Sequence, residues 1–398
     1  MADAALSDIT VLDLGTDVAG PYCAKMLGDF GANVIKVEPP EGEPARRSGP
    51  FPGDHPHPEK SGMFLYLNTN KRGITLDPST PTGRDLLLKL VARADVLVEN
   101  TTPGTLEGLC LGWADLQQVN PKLVMTSITP FGQTGPYREY APEEITFFAM
   151  SGRMYAHGVD ERPPLRYAPD TLWFQTGATA AVATMAAVFS QRRYDLGQQI
   201  DVSAFEAMCG NVDTRIIPAS MMNDYNRRLA HPVSFASGVM PCADGFIYMV
   251  ITTERFFRRM LMAIGRDDLL DDQRFATARG RAENRDYLDA ILMPWLLDRT
   301  RAEAFKQLQK YRVMCAPIQT AAEILADEQL QERAYFVDVE HPEAGTLPHP
   351  GAPFIMSETP VSIRCPAPLL GEHNEEVYCE ELGLSQDELL SLHAQGIV

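Results

Sequence analysis

Residues 9–13 form a short apolar run closed by Asp13. Gly15 follows, then Ala19, Gly20 and Pro21 open a helical pattern that continues through Leu27, and residues 32–38 form a second strand-like run. Strand, glycine-bearing turn, helix and strand make a βαβ unit. The alternation then repeats, with a strand predicted at 73–76, an amphipathic helix at 82–94 opened by a Pro/Thr cap region, a buried strand at 96–98, a helix at 113–119 and a strand at 123–128. Such alternation predicts an α/β chain with a largely parallel sheet covered by helices. Residues 174–191 are Ala-rich, with Met185, and read as a small-residue helix able to approach a neighbour closely; 199–202 is a further strand.

The texture changes after about residue 205. Residues 1–205 read as the N-terminal part of a large domain and 206–232 as a linker, polar and basic over 223–232. Residues 233–325 read as a smaller α+β domain, with a strand at 246–250 and helices at 255–264, 284–297 and 301–311. Residues 326–398 are rich in proline and glycine and predict an extended segment, closed by a helix at 386–393 with Gly396 beyond it. No internal repeat is present.

Composition narrows the partners more than the fold. The chain has 398 residues, room for about two domains. Its formal charge of −18 sets most of its surface against nucleic acid and anionic membranes, so an anionic ligand needs a local basic pocket. The seven cysteines are scattered without a CxxC pair and the eight histidines lack metal-ligand spacing, which argues against a disulfide framework or a metal site and fits a reducing cytoplasm. The acidic start carries no signal-peptide pattern. Residues 168–191, interrupted by Pro169, Asp170, Thr176 and Thr179, have too few large apolar side chains to predict a membrane span. The first βαβ unit lacks GxGxxG, so nicotinamide binding has little support.

Several strings, in order, carry a resemblance. They are Val11-Leu12-Asp13-Leu14 with Ala19-Gly20-Pro21, Gly31 through Glu38, Asn70-Lys71-Arg72 with Leu76-Asp77, and Glu99-Asn100 with Pro103-Gly104. Phe131-Gly132-Gln133-Thr134-Gly135-Pro136-Tyr137, Gly197-Gln198 with Asp201-Val202-Ser203, and Pro368 through His373 complete the set. Together they make the chain resemble the class III CoA-transferases, a family that includes formyl-CoA:oxalate, carnitine and benzylsuccinate transferases and the 2-methylacyl-CoA racemases. The resemblance implies a Rossmann-like large domain built from both chain ends, a smaller domain, and two subunits interlocked like rings. It also implies CoA and acyl-CoA as substrates, with no permanent cofactor.

In that family an aspartate attacks the acyl-CoA thioester, and the acyl group and CoA then exchange through anhydride and aspartyl-thioester stages. The aspartate lies four residues before the glycine that opens the small-residue helix. Here that glycine is Gly177 and the position is Trp173; counting forward from Pro163 and Pro164 gives Trp173 again. Trp has only an N–H donor and forms no anhydride. The nearest carboxylate, Asp170, is a substitute nucleophile or, after Pro169, a turn or cap residue. Glu144 matches an acidic position near the family's active site, and the resemblance places CoA against Val18, Ala19, Lys71, Arg72, Asn100 and Gly135. Lys71 and Arg72 read equally as surface ion pairs. Thr102 and Gly108 stand where the family often carries basic residues, and Glu143 stands where the racemases carry histidine, so a two-base proton exchange lacks its groups. The leading expectation is a nucleophile-lacking subunit that pairs with an Asp-bearing paralogue, with succinyl-CoA as donor and an aromatic succinate as acceptor. Its alternatives are a homodimeric transferase using Asp170 and a non-catalytic acyl-CoA-binding protein.

Overall fold

The structure is a computed structural model and describes residues 4–140, 143–158, 162–210, 216–222 and 236–398. The chain divides into two compact units. The first comprises Met1–His157, Leu165–Asn226 and Glu332–Val398; the second comprises Gly158–Pro164 and Arg227–Gln331.

The first unit is built on six parallel strands: β1 (Thr10–Asp13), β2 (Asn33–Glu38), β3 (Lys71–Thr75), β4 (Val96–Glu99), β5 (Val124–Thr129) and β6 (Gln198–Ser203). Side chains alternate faces along a strand. Leu12, Ile35, Leu97 and Met125 therefore share one face, packed with Leu86 and Leu90 of a covering helix and with Tyr378 from the chain's last segment. Val11, Val34, Val96 and Val124 share the other, packed with Leu27, Ala180 and Ala187. Burial on both faces explains why the strands read as near-continuous apolar runs.

The strand order is β3-β2-β1-β4-β5-β6. The chain winds outward from β1 in one direction and from β4 in the other. The carboxyl ends of β1 and β4 thus flank the switch point, where open α/β sheets hold their ligands.

The helices of this unit include α1 (Ala19–Asp29), α2 (Pro81–Val91), α3 (Trp113–Val119), α4 (Glu144–Met150) and α5 (Thr171–Tyr194). Contrary to the sequence expectation, α5 is long and apolar enough by length and composition alone to cross a membrane. Its Leu172, Thr176, Gly177, Ala180 and Thr184 are nonetheless buried, and it packs on α1 and β5 as a core helix does. Gly177 marks a close approach to α1: a Cβ there would lie 2.6 Å from the Ala19 carbonyl oxygen.

The start of the 206–232 segment is helical (Ala204–Gly210, Ile216–Met222) rather than an open linker, and residues 223–232 lie outside the described residues. The last segment is less extended than expected. Phe336–His341 and Gly345–Pro350 pair as an antiparallel hairpin turning at Gly345, whose φ is 74°.

The second unit pairs Gly238–Cys242, Gly245–Met249 and Cys315–Pro317 in an antiparallel sheet. Ile247, Met249, Phe257, Leu261, Leu292 and Leu308 form its core with the helices Glu254–Ala263, Arg285–Leu297 and Arg301–Lys310. Thr300 and Glu303 cap the last of these reciprocally.

Candidate active site

The turn between β1 and α1 is held by side chains rather than by a backbone ladder. Asp13 Oδ1 accepts the Gly15 N–H at 2.9 Å, and Lys36 Nζ donates to the Gly15 carbonyl. Asn100, just past β4, accepts the Thr16 N–H at 2.7 Å and donates to the Thr16 carbonyl at 2.9 Å. Glu43 Oε2 accepts the Asp17 N–H at 2.8 Å. Asp17 sits at φ 58°, in the left-handed region that Asp and Asn tolerate better than most residues.

Beneath this turn lies a buried ionic floor. Lys36 is 2.9 Å from Glu43 and 3.8 Å from Asp13. Lys71 Nζ donates to Asp13 Oδ2 at 2.8 Å, the Pro21 carbonyl at 2.8 Å and Asn68 Oδ1 at 2.9 Å. Arg46 forks onto Glu38 at 2.7 and 2.8 Å and reaches Glu59 at 2.6 Å. Burial alone would raise the Asp13 carboxyl, but Lys36 and Lys71 hold it below the ordinary range. Burial, opposed by Asp13, pushes Lys71 down to about 8. Burial also works against Lys36, yet Asp13 and Glu43 hold it above its ordinary value.

The opposite wall is the start of α5. Glu144, at the start of α4, accepts the N–H groups of Asp170 at 3.0 Å and Leu172 at 2.8 Å. A carboxylate from another helix thus caps α5 and matches its positive end. Asp170 occupies the N-cap position at φ 65°, but its side chain makes no capping hydrogen bond. Trp173, one turn further, packs edge-to-face on Phe147 with ring centroids 5.0 Å apart.

Between the two walls is a cavity of about 360 Å³. Asp17, Val18, Ala19 and Asn100 line it at the switch point, Glu143, Asp170 and Trp173 line the helical side, and Ala45, Ser48, Gly49 and Met63 complete it. Among the described residues, three acidic side chains belong to the lining and none of the lining side chains is cationic. Burial raises the Asp17 carboxyl above the ordinary carboxylate range; Lys36 opposes the shift and the Asp170 charge adds to it.

The structure brings five of the expected residues together: Val18, Ala19, Asn100, Asp170 and Trp173. Glu144 stands behind the wall as the α5 cap. Lys71 and Arg72 need correction as phosphate contacts. Lys71 is 1 % exposed with three acceptors on its ammonium, and Arg72 pairs with Glu376 and Glu381. Gly135 lies on the loop after β5, outside the cavity lining. Sequence pattern alone does not single out Asp17 or Glu43. The available signal was position, since a charged residue in the turn after the first strand of a parallel sheet points at the ligand crevice.

A sequence model of the CoA-transferase family III matches residues 6–374. The chain is 34 % identical over 397 residues to the succinyl-CoA–D-citramalate CoA-transferase of Chloroflexus aurantiacus, covering 99 % of this chain and 98 % of that protein. It is 32 % identical to subunit BbsE of the succinyl-CoA:(R)-benzylsuccinate CoA-transferase of Thauera aromatica, covering 98 % of each. Among solved structures, a CaiB/BaiF family protein from Brucella suis superposes with a TM-score of 0.85 at 31 % identity, covering 95 % of this chain and all of that one.

Proposed function

The chain belongs to CoA-transferase family III, and on that basis we propose that it is the nucleophile-lacking subunit of a hetero-oligomeric transferase. That enzyme moves CoA from a succinyl-CoA-type donor to a carboxylic acid, with an aromatic succinate as one candidate acceptor. The supporting observation is the cavity wall itself. Trp173 takes the place where the resemblance expects a carboxylate, and among the described residues the three carboxylates that line the cavity have no lining cation beside them. An acceptor acid enters as an anion, and the uncompensated like charge along the lining opposes it. The similarity to BbsE, itself one subunit of a transferase, supports the same division of labour.

The test is reconstitution. The purified chain, incubated with succinyl-CoA and benzylsuccinate, is expected to give no turnover and no covalent adduct. Addition of an Asp-bearing paralogue is expected to restore transfer. Robust turnover by the single chain would refute the proposal.

A second reading is favoured by one observation: the Asp170 carboxylate faces the same cavity without a capping bond. In that reading Asp170 attacks the thioester carbonyl, the C–S bond breaks, and CoA leaves as the thiolate while a mixed anhydride forms. The thiolate then attacks the aspartyl carbonyl and releases the donor acid. The acceptor carboxylate next displaces CoA from the aspartyl thioester, giving a second anhydride. CoA thiolate attacks its acceptor acyl carbon, yielding the new thioester and free Asp170. Asp170→Asn separates the two readings, because it abolishes single-chain turnover and adduct formation only in this one.

A further inference from the structure

We propose that His341 is an acid-sensitive latch: it holds the Phe336–His341/Gly345–Pro350 hairpin shut only while its ring is neutral, and through the hairpin it braces the Ala45 side of the cavity. The inference does not depend on which acids the protein exchanges. His341 ends the first strand of the hairpin and is 4 % exposed. Its Nδ1 accepts the backbone N–H groups of Glu343 at 3.2 Å and Ala344 at 3.1 Å. Pro342 has no N–H, so this one nitrogen holds every N–H of residues 342–344, the turn between the strands. A ring nitrogen that accepts carries no proton, so the proton of the neutral ring is on Nε2. Nε2 is buried and has no hydrogen-bond partner among the described residues. Charging the ring adds a proton to Nδ1, where two N–H groups already point. The bonds that close the turn must then break, and the ring reaches water only if the turn opens with it.

The groups around the ring leave that conflict in place. Burial is the largest influence and holds the ring below the ordinary histidine value. Glu59, Glu372 and Glu343 on the turn itself favour the charged ring, and Arg46 opposes it. Two of these carboxylates are already engaged: Glu59 accepts from Arg46 at 2.6 Å, and Glu372 accepts the Leu369 N–H at 2.8 Å. His349, on the returning strand and 6 % exposed, is the contrast within the same hairpin. Its Nδ1 donates to the Leu347 carbonyl at 3.0 Å, so a second proton at Nε2 leaves that bond in place. The hairpin also touches the cavity wall. Ala344 and Leu347 pack on the cluster of Ala45, Phe64, Leu65 and Ala367, and Ala45 lines the cavity.

The test is hydrogen–deuterium exchange of the full chain at the Glu343 and Ala344 amides, corrected for the intrinsic exchange rate at each pH. An exposed histidine charges near pH 6.5, and one proton taken up on opening is worth about tenfold in protection per pH unit. The folded ring binds its proton less readily than the open one, so the latch is whole above about pH 6.5 and weakens below it. Protection of the two amides is expected to fall severalfold, and at most about tenfold, between about pH 6.5 and about pH 5.5. His341→Asn offers the turn an oxygen acceptor without a titrating group, and its protection is expected to stay flat. The wall is read at Gly62, next to Met63, whose N–H donates to the Pro50 carbonyl at 2.8 Å. That amide is expected to lose protection over the same pH range in the wild type only. A flat wild type, or the same slope in His341→Asn, overturns the latch, and a wild-type Gly62 amide indifferent to pH overturns its link to the cavity. Nuclear magnetic resonance of the wild-type ring gives a check that needs no variant: His341 titrating while Glu343 and Ala344 stay protected also overturns the latch.

Discussion

Two sets of charged residues meet at the turn after β1, and they are organised in opposite ways. Asp13, Lys36, Glu43, Glu38, Arg46 and Lys71 are all at most 1 % exposed, and each is bonded to an opposite charge. Asp17, Glu143 and Asp170 line the cavity with no cation among the described residues of its wall. The floor uses charge to fix backbone; the rim leaves charge available to a ligand. Buried ions survive only when paired, whereas a rim facing solvent can carry like charges at modest cost.

The largest effect expected from this contrast lies in the floor. Lys71→Met strands Asp13 in the interior and should cost about 3–5 kcal/mol in urea denaturation. Combining it with Asp13→Asn should recover much of that loss, since the orphaned charge is gone; an additive double variant would mean the floor acts by packing instead.

Next is the pH response of the same lysine. Lys71 releases its proton near pH 8 in the folded chain, whereas an unfolded lysine holds its proton to about 10.4. Between those values the unfolded state binds more protons, so this group makes stability rise with pH. A higher urea midpoint at about pH 9.5 than at about pH 7.5 checks the sign.

Glu144 stands between the two sets. Glu144→Ala removes two charge-assisted caps from α5 and should cost about 1–2 kcal/mol in thermal unfolding. The smallest effect belongs to the rim: Asp170→Asn should change stability by less than about 0.5 kcal/mol, because its carboxylate caps nothing. A large loss there would erase the distinction between floor and rim.

The same contrast separates what the sequence reveals from what it hides. The strands at Val11, Val34, Val96 and Val124 were legible because burial on both faces leaves an apolar run. The start of β3 was not, because Lys71 and Arg72 read as surface, and the partner that keeps Lys71 buried is Asp13 on β1, two places away in the strand order. The first turn of α5 was missed for a related reason: its cap comes from Glu144 rather than from a local Ser, Thr or Asp side chain. The hairpin Phe336–His341/Gly345–Pro350 was hidden by Pro348 and Pro350, residues that disfavour a strand except at an edge. Among the residues that line the cavity, Val18, Ala19, Asn100 and Trp173 are named through resemblance and Asp170 as the carboxylate nearest Trp173, whereas Asp17 needed the topology.

The seam at Gly177 has a consequence for how the molecule acquires its site. Asp17 and Asp170 come from distant stretches of chain and share a cavity in a unit where α5 approaches α1 closely enough to exclude a methyl group at Gly177. Contacts of such high sequence separation are expensive in loop entropy and tend to form late. Strands β1 to β5 and the ionic floor can therefore assemble before α5 docks. A bulky residue at Gly177 should yield a chain that collapses with its sheet formed and its cavity never closed.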